Sequence, residues 1–128
     1  MQPDSLLVTS DPRVESVLRR LLRDADMRLD VSPSHPAAHN LLASRKFHAI
    51  LLDCDDLHAA EEFIKQLRRH PVNAGAIVFA ILSGSARGGA AFRMGAHFVL
   101  DKPISSERGA RTLRAAGSII RARAEATA

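Results

Sequence analysis

A chain of 128 residues, 46% hydrophobic and 25% charged, has room for one ordinary domain around one core and none for a second. No apolar run approaches the roughly 20 residues that span a bilayer, and the opening MQPDSLLVTS lacks the basic and long apolar regions of a secretory signal, so a cytoplasmic location is expected. A formal charge of +4 and a pI near 10.2 raise nucleic acid as a partner, but the arginines are scattered and Tyr and Trp are absent, which argues against it. The single cysteine, Cys54, has no internal partner for a disulfide, and no Cys/His set has zinc spacing.

In chain order, apolar runs of strand length alternate with segments of helical period. LLV at 6–8 reads as the first strand. Val14, Val17, Leu18, Leu21 and Leu22 then recur at the spacing of one buried helix face, with Asp11 placed as N-cap and Pro12 at the first helical position. MRLDVS at 27–32 alternates like a short strand, and 34–46 opens with a cap and a proline before carrying Ala38, Leu41 and Leu42 inward. HAILLD at 48–53 is a continuous apolar strand; the helix predicted over 57–70 buries Leu57, Ala60, Ile64 and Leu67 and is broken by HPVNAG. AIVFAIL at 76–82 has the composition of a parallel strand covered on both faces. ARGGAAFRMG at 86–95 carries three glycines and predicts at best a short helix. HFVL at 97–100 makes a fifth strand, and the helix over 105–124 opens on a Ser105 cap with Glu107 in its first turn. The alternation predicts an α/β fold, a single doubly wound five-stranded parallel sheet.

In such sheets chemistry collects where strand carboxyl ends open into loops at the switch in strand order. AILLDCDD at 49–56 drives an apolar strand into Asp53, Asp55 and Asp56 at that position. Ser10 and Asp11 end the first strand, Ser83 and Gly84 the fourth, and Lys102 and Pro103 the fifth. Asp53 is thereby a candidate nucleophile or metal ligand, held by the core yet facing an open crevice.

LLVTSDP, AILLD ending in Asp53, the Ser83–Gly84 pair and GAHFVLDKP, with Lys102 lying 49 residues beyond Asp53, resemble in order and spacing the receiver domains of bacterial two-component response regulators. The likeness covers essentially the whole chain. It implies the flavodoxin-like strand order 2-1-3-4-5, with Asp53 as the phosphate-accepting aspartate, Lys102 as the lysine that contacts the phosphoryl group and Ser83 as the hydroxyl that tracks phosphorylation. It also implies a cis Lys102–Pro103 bond, Mg2+ as cofactor, a histidine kinase as donor, and an output domain or partner protein as target. A homodimer through the fifth strand and last helix belongs to the same expectation, and the chain is then a switch, not an enzyme acting on a separate substrate. VFAILSG and FVLDKPISSER resemble, more particularly, receivers joined to a C-terminal PilZ domain that binds cyclic di-GMP.

A carboxylate attacking a phosphoryl group is a weak nucleophile facing an anion, so magnesium and a lysine must neutralise the phosphate oxygens. The candidate metal ligands are Asp53, Asp11 and Asp55, the last through its backbone carbonyl. The sequence departs from the family pattern here, because aligning Asp11–Pro12 with the usual acid–proline step puts Thr9 and Ser10 where an acidic pair belongs. Hydroxyls bring no formal charge, and Asp11 is also a cap, so weak metal binding is expected. Ser83 lies 19 residues before Lys102, about a turn short of the family interval, which instead lands on Ala80. Chemistry favours Ser83 and spacing favours Ala80, and both stay open. Two functions follow: a phosphoacceptor receiver, or a pseudoreceiver that dimerises or docks without phosphorylation.

Other residues have plainer readings. Asp55 and Asp56 suit a loop or cap, and Cys54 a small buried hydrophobe. His35 and His39, four apart, have metal spacing but no third ligand in view, and His58 and His97 lie near the site in sequence without a partner. In the last helix Leu113, Ala116 and Ile120 should face the sheet, leaving Arg111, Arg114, Arg121 and Arg123 for solvent, a second subunit or an acidic output domain.

Overall fold

In the computed structural model, which describes residues 2–84 and 87–126, strand and helix alternate from end to end. The strands are β1 (Asp4–Val8), β2 (Arg28–Ser32), β3 (Ala49–Asp53), β4 (Ile77–Ser83) and β5 (Phe98–Lys102). The helices are α1 (Pro12–Asp24), α2 (His35–Leu42), α3 (Leu57–Leu67), α4 (Gly88–Arg93) and α5 (Ser106–Ala126). The strands form one five-stranded sheet, all parallel, in the order β2-β1-β3-β4-β5. Both the doubly wound sheet and its strand order agree with the expectation.

The helix starts are chemical. Asp11 accepts from the Arg13 N–H, Ser34 from the Ala37 N–H and Asp56 from the His58 and Ala59 N–H groups, so each satisfies donors that a first turn leaves unpaired. Each face of the sheet has its own core. Leu6, Val8, Ile50, Leu52, Val78 and Ala80 point toward α2, α3 and α4, where they meet Leu42, Phe63, Ile64 and Ala91. Leu7, Leu51, Phe79 and Ile81 point the other way, toward Leu18 and Leu22 of α1 and Leu113 and Ile120 of α5. Burial on both faces explains why the central strands are apolar without alternation.

Some boundaries differ from the sequence reading, each for a physical reason. α2 stops at Leu42 rather than reaching 46, because the Ser44 N–H closes a tighter turn on the Leu41 carbonyl and the Asn73 amide takes up the Leu42 and Arg45 carbonyls. α3 ends at Leu67 and buries Phe63, while Leu57 at its mouth is only half-buried. β4 and β5 run on through Ser83 and Lys102, which pair side by side across the sheet. α4 is a six-residue helix with no side-chain cap, as its glycines predict, and Ala86 at the start of that segment lies outside the described residues.

The last helix holds a correction. Arg111 and Arg114 are exposed, but Arg121 donates to the Ala25 carbonyl at the end of α1 and Arg123 to the Gly75 carbonyl ahead of β4, at 2.6 Å for the latter. Those two arginines tie α5 to its own domain instead of standing free for a partner.

Candidate functional site

The order β2-β1-β3 reverses direction beside β1, and the crevice opens there at the carboxyl ends of β1, β3, β4 and β5. Asp53 ends β3 with its side chain only 9% exposed. Its Oδ1 accepts from the Lys102 ammonium at 2.6 Å. Its Oδ2 accepts from the Thr9 hydroxyl, also at 2.6 Å, and the same Thr9 oxygen accepts the Asp11 N–H at 3.0 Å. Thr9 is buried and Ser10 is exposed.

Lys102 reaches back over the crevice past a cis Lys102–Pro103 peptide bond and also donates to Asp55 Oδ2 at 2.9 Å. Asp55 Oδ1 accepts the Ser83 N–H at 2.6 Å, and its Oδ2 the Ser83 hydroxyl at 3.2 Å. Arg87, from the turn into α4, donates to the Asp55 carbonyl and lies 3.7 Å from its carboxylate. Asp53, Lys102, Asp55 and Ser83 therefore form one hydrogen-bonded patch. A cleft of about 490 Å³ runs beside it between Asp11 and Arg13 at the start of α1 and the Ser83–Lys102–Pro103 edge.

The charges tune one another. Burial pulls the Lys102 ammonium down, but its hydrogen bonds to Asp53 and Asp55 outweigh that and leave it above its ordinary value. The Ser83 N–H, then Lys102, hold the Asp55 carboxyl below its ordinary value. Asp11 is also lowered, first by the Arg13 N–H and then by the Arg13 side chain. Cys54, half-buried beside Asp53, donates to the Asp56 carbonyl at 3.2 Å, and burial pushes its thiol up.

Magnesium is the group the resemblance implies, and the residues do not fit it. The proposed ligands Asp53, Asp11 and Asp55 do not make a metal cage: Asp11 is turned onto the Arg13 N–H at 2.9 Å, Lys102 stands between the carboxylates of Asp53 and Asp55, and the Asp55 carbonyl accepts from Arg87. Among the described residues no group of three His, Cys, Asp or Glu side chains is placed to hold a metal ion. Both oxygens of Asp53 already have donors, one of them a cation at 2.6 Å. Magnesium needs an octahedron of oxygen acceptors, and a hydroxyl that donates to Asp53 stands in for one of the missing acids.

The hydroxyl beside Lys102 is Ser83. Ala80 is buried three residues earlier in β4, opposite Val99, and carries no polar atom. Asp56 is a cap, as read. His97 is at the other end of the sheet, where its Nδ1 accepts the Val78 N–H at 3.0 Å. Sequence reasoning missed the donor role of Thr9 and the approach of Arg87 to Asp55. The strand-end position of Thr9 was a usable signal, and nothing marked Arg87.

No family model matches the chain, and no curated protein matches it. Solved structures do. The chain is similar to the chemotaxis response regulator CheY4 of Vibrio cholerae, with a TM-score of 0.78 and 18% identity over 89% of this chain and 98% of that one. It is similar to a response regulator from Thermotoga maritima, with a TM-score of 0.81 and 12% identity over 92% and 99% of the two chains. The fold is the flavodoxin-like receiver fold. A third chain of that fold, the receiver domain of a sensor histidine kinase from Pseudomonas aeruginosa with magnesium coordinated in its active-site cleft, gives a TM-score of 0.73 and 20% identity over 92% and 99%. In receiver-fold terms, the patch around Asp53 occupies the carboxyl-end crevice of the sheet.

Proposed function

We propose that the chain is a receiver module of two-component signalling that acts by docking, with Asp53 held in a closed hydrogen-bonded network instead of serving a metal-bound phosphoryl group. The carrying observation is the Thr9 hydroxyl on Asp53 Oδ2, with Lys102 on Oδ1. Attack on phosphorus needs a free carboxylate oxygen and a cation that neutralises the incoming phosphate. Here the Thr9 hydroxyl holds Oδ2, the Lys102 charge is already paired with Oδ1, and the acidic pair that would bring a metal cation is replaced by Thr9 and Ser10. Structural neighbours that are response regulators support the signalling role.

The second reading is a phosphoacceptor, favoured by the meeting of Asp53, Lys102 and Ser83 at one crevice. A histidine kinase would then give up a phosphoryl group, its N–P bond breaking as an O–P bond forms on Asp53. Partners under either reading are an output domain and a second copy of the chain, through the β5 and α5 face where Arg111 and Arg114 are exposed. The segments VFAILSG and FVLDKPISSER support a PilZ-linked output. A cytoplasmic location goes with that role.

The test is incubation with acetyl phosphate and Mg2+, read by intact mass and by a phosphate-affinity gel. The expected result is no adduct on the natural chain and a new adduct on Thr9→Asp/Ser10→Asp, with Mg2+ binding gained by the variant. A phosphoryl group on Asp53 of the natural chain, or magnesium bound at micromolar metal, overturns the docking reading in favour of the phosphoacceptor.

A further inference from the structure

On the face opposite α1 and α5, helix packing collects three histidines that the crevice does not use. His35 and His39 lie one turn apart on α2 and pack against Phe63 of α3, their ring centroids 5.1 and 4.4 Å from its own. His70, just beyond α3, comes in from 31 residues away, and its Nε2 lies 3.3 Å from His39 Nδ1. The two imidazoles are stacked, with centroids 5.4 Å apart.

That separation is informative. Zinc binds imidazole nitrogen at about 2.0–2.1 Å in tetrahedral geometry, which sets two ligand nitrogens about 3.3–3.4 Å apart. Neutral imidazoles at this spacing share a single proton, and a cation can take the proton's place with modest ring rotation. We propose that His39 and His70 form a binding site for an imidazole-seeking first-row cation, Zn2+ or Cu2+, with water completing the coordination.

The scaffold under the pair is stiff. His70 and Asn73 share one turn, closed by the Asn73 N–H on the His70 carbonyl. Asn73 is 1% exposed, and its amide locks that turn onto the end of α2 through the Leu42 and Arg45 carbonyls at 2.8 and 2.7 Å and the Phe47 N–H at 2.7 Å. Phe63 fixes the plane of the His39 ring from beneath. Metal affinity depends on unprotonated nitrogen, and burial, followed by the charges of His70 and His35, keeps His39 below its ordinary value. A bound cation would join α2 to the turn after α3.

The site is remote in chemistry from Asp53 and rests on no reading of it. Imidazole selects zinc and copper over magnesium, so the two questions separate. The experiment uses the full chain without a histidine tag, titrated with ZnCl2, CuCl2 and MgCl2 by calorimetry and followed by thermal melts and histidine side-chain NMR. Expected are one bound Zn2+ or Cu2+, a raised melting temperature, and shifts of the His39 and His70 ring signals. His39→Gln and His70→Gln each lose about tenfold or more in affinity, whereas His35→Gln stays within about threefold. No heat and no ring shifts at submillimolar zinc overturn the proposal, as does unchanged affinity in His39→Gln. The ring signals of the natural chain decide the matter even if a variant fails to fold.

Discussion

Thr9→Val separates a hydroxyl that holds Asp53 from one that merely fills space. Thr9 is 5% exposed, and valine has nearly its shape, so the substitution opens no cavity and removes two hydrogen bonds. The bond to Asp53 Oδ2, at 2.6 Å, has a charged acceptor; such bonds contribute about 1.5–3 kcal/mol, against about 1 kcal/mol for the neutral bond that Thr9 accepts from Asp11 N–H. Two features reduce the sum. Asp53 keeps Lys102, so the carboxylate is not stranded, and Asp11 is only half-buried, so water replaces part of the second bond. The net loss is about 2–3 kcal/mol, which for a domain of this size lowers Tm by about 8–12 °C. Urea unfolding followed by circular dichroism at pH 7 measures it. Adding Asp53→Asn completes a cycle, in which the Thr9→Val cost should shrink by about 1–2 kcal/mol once the charge is gone. A loss below about 0.5 kcal/mol, or costs that add within that margin, would refute the claim that Thr9 secures the Asp53 carboxylate.

Asn73→Ala should cost about 3 kcal/mol in the same urea assay, because three backbone groups lose their partner at a buried site; a cost under about 1 kcal/mol would show that water satisfies them. Asp55, lowered in the folded state, contributes stability that is full above its ordinary 3.8 and fades as pH falls through the folded value. Lys102, raised above 10.5, contributes fully below that pH and loses its contribution as pH rises past it. Thermal melts across pH should thus fall off on both sides, and Lys102→Met should flatten the alkaline limb; an alkaline limb unchanged by that variant argues against the pairing. Charge reversal at Arg111 and Arg114 should weaken self-association in sedimentation and make it less sensitive to salt, whereas a chain that stays monomeric at high concentration rules out the α5 dimer.

Period and punctuation in the chain were enough to read the five strands, the soft α4 and the caps at Asp11, Ser34 and Asp56, because those features depend on contacts a few residues apart. The position of Asp53 at a strand end was equally legible, since an apolar run ending in acids has few other places to stop. Other outcomes needed the third dimension. Ser83 lies opposite Lys102 through strand register, a placement that no count along the chain could supply. Thr9 donates to Asp53 across 44 residues, and His70 meets His39 across 31, so neither contact leaves a local pattern. Arg121 and Arg123 read as a solvated face by helical period, yet their reach lets them find the Ala25 and Gly75 carbonyls of neighbouring segments. Local spacing determines which side of an element is apolar, but the ends of long polar side chains go wherever packing leaves an unpaired group.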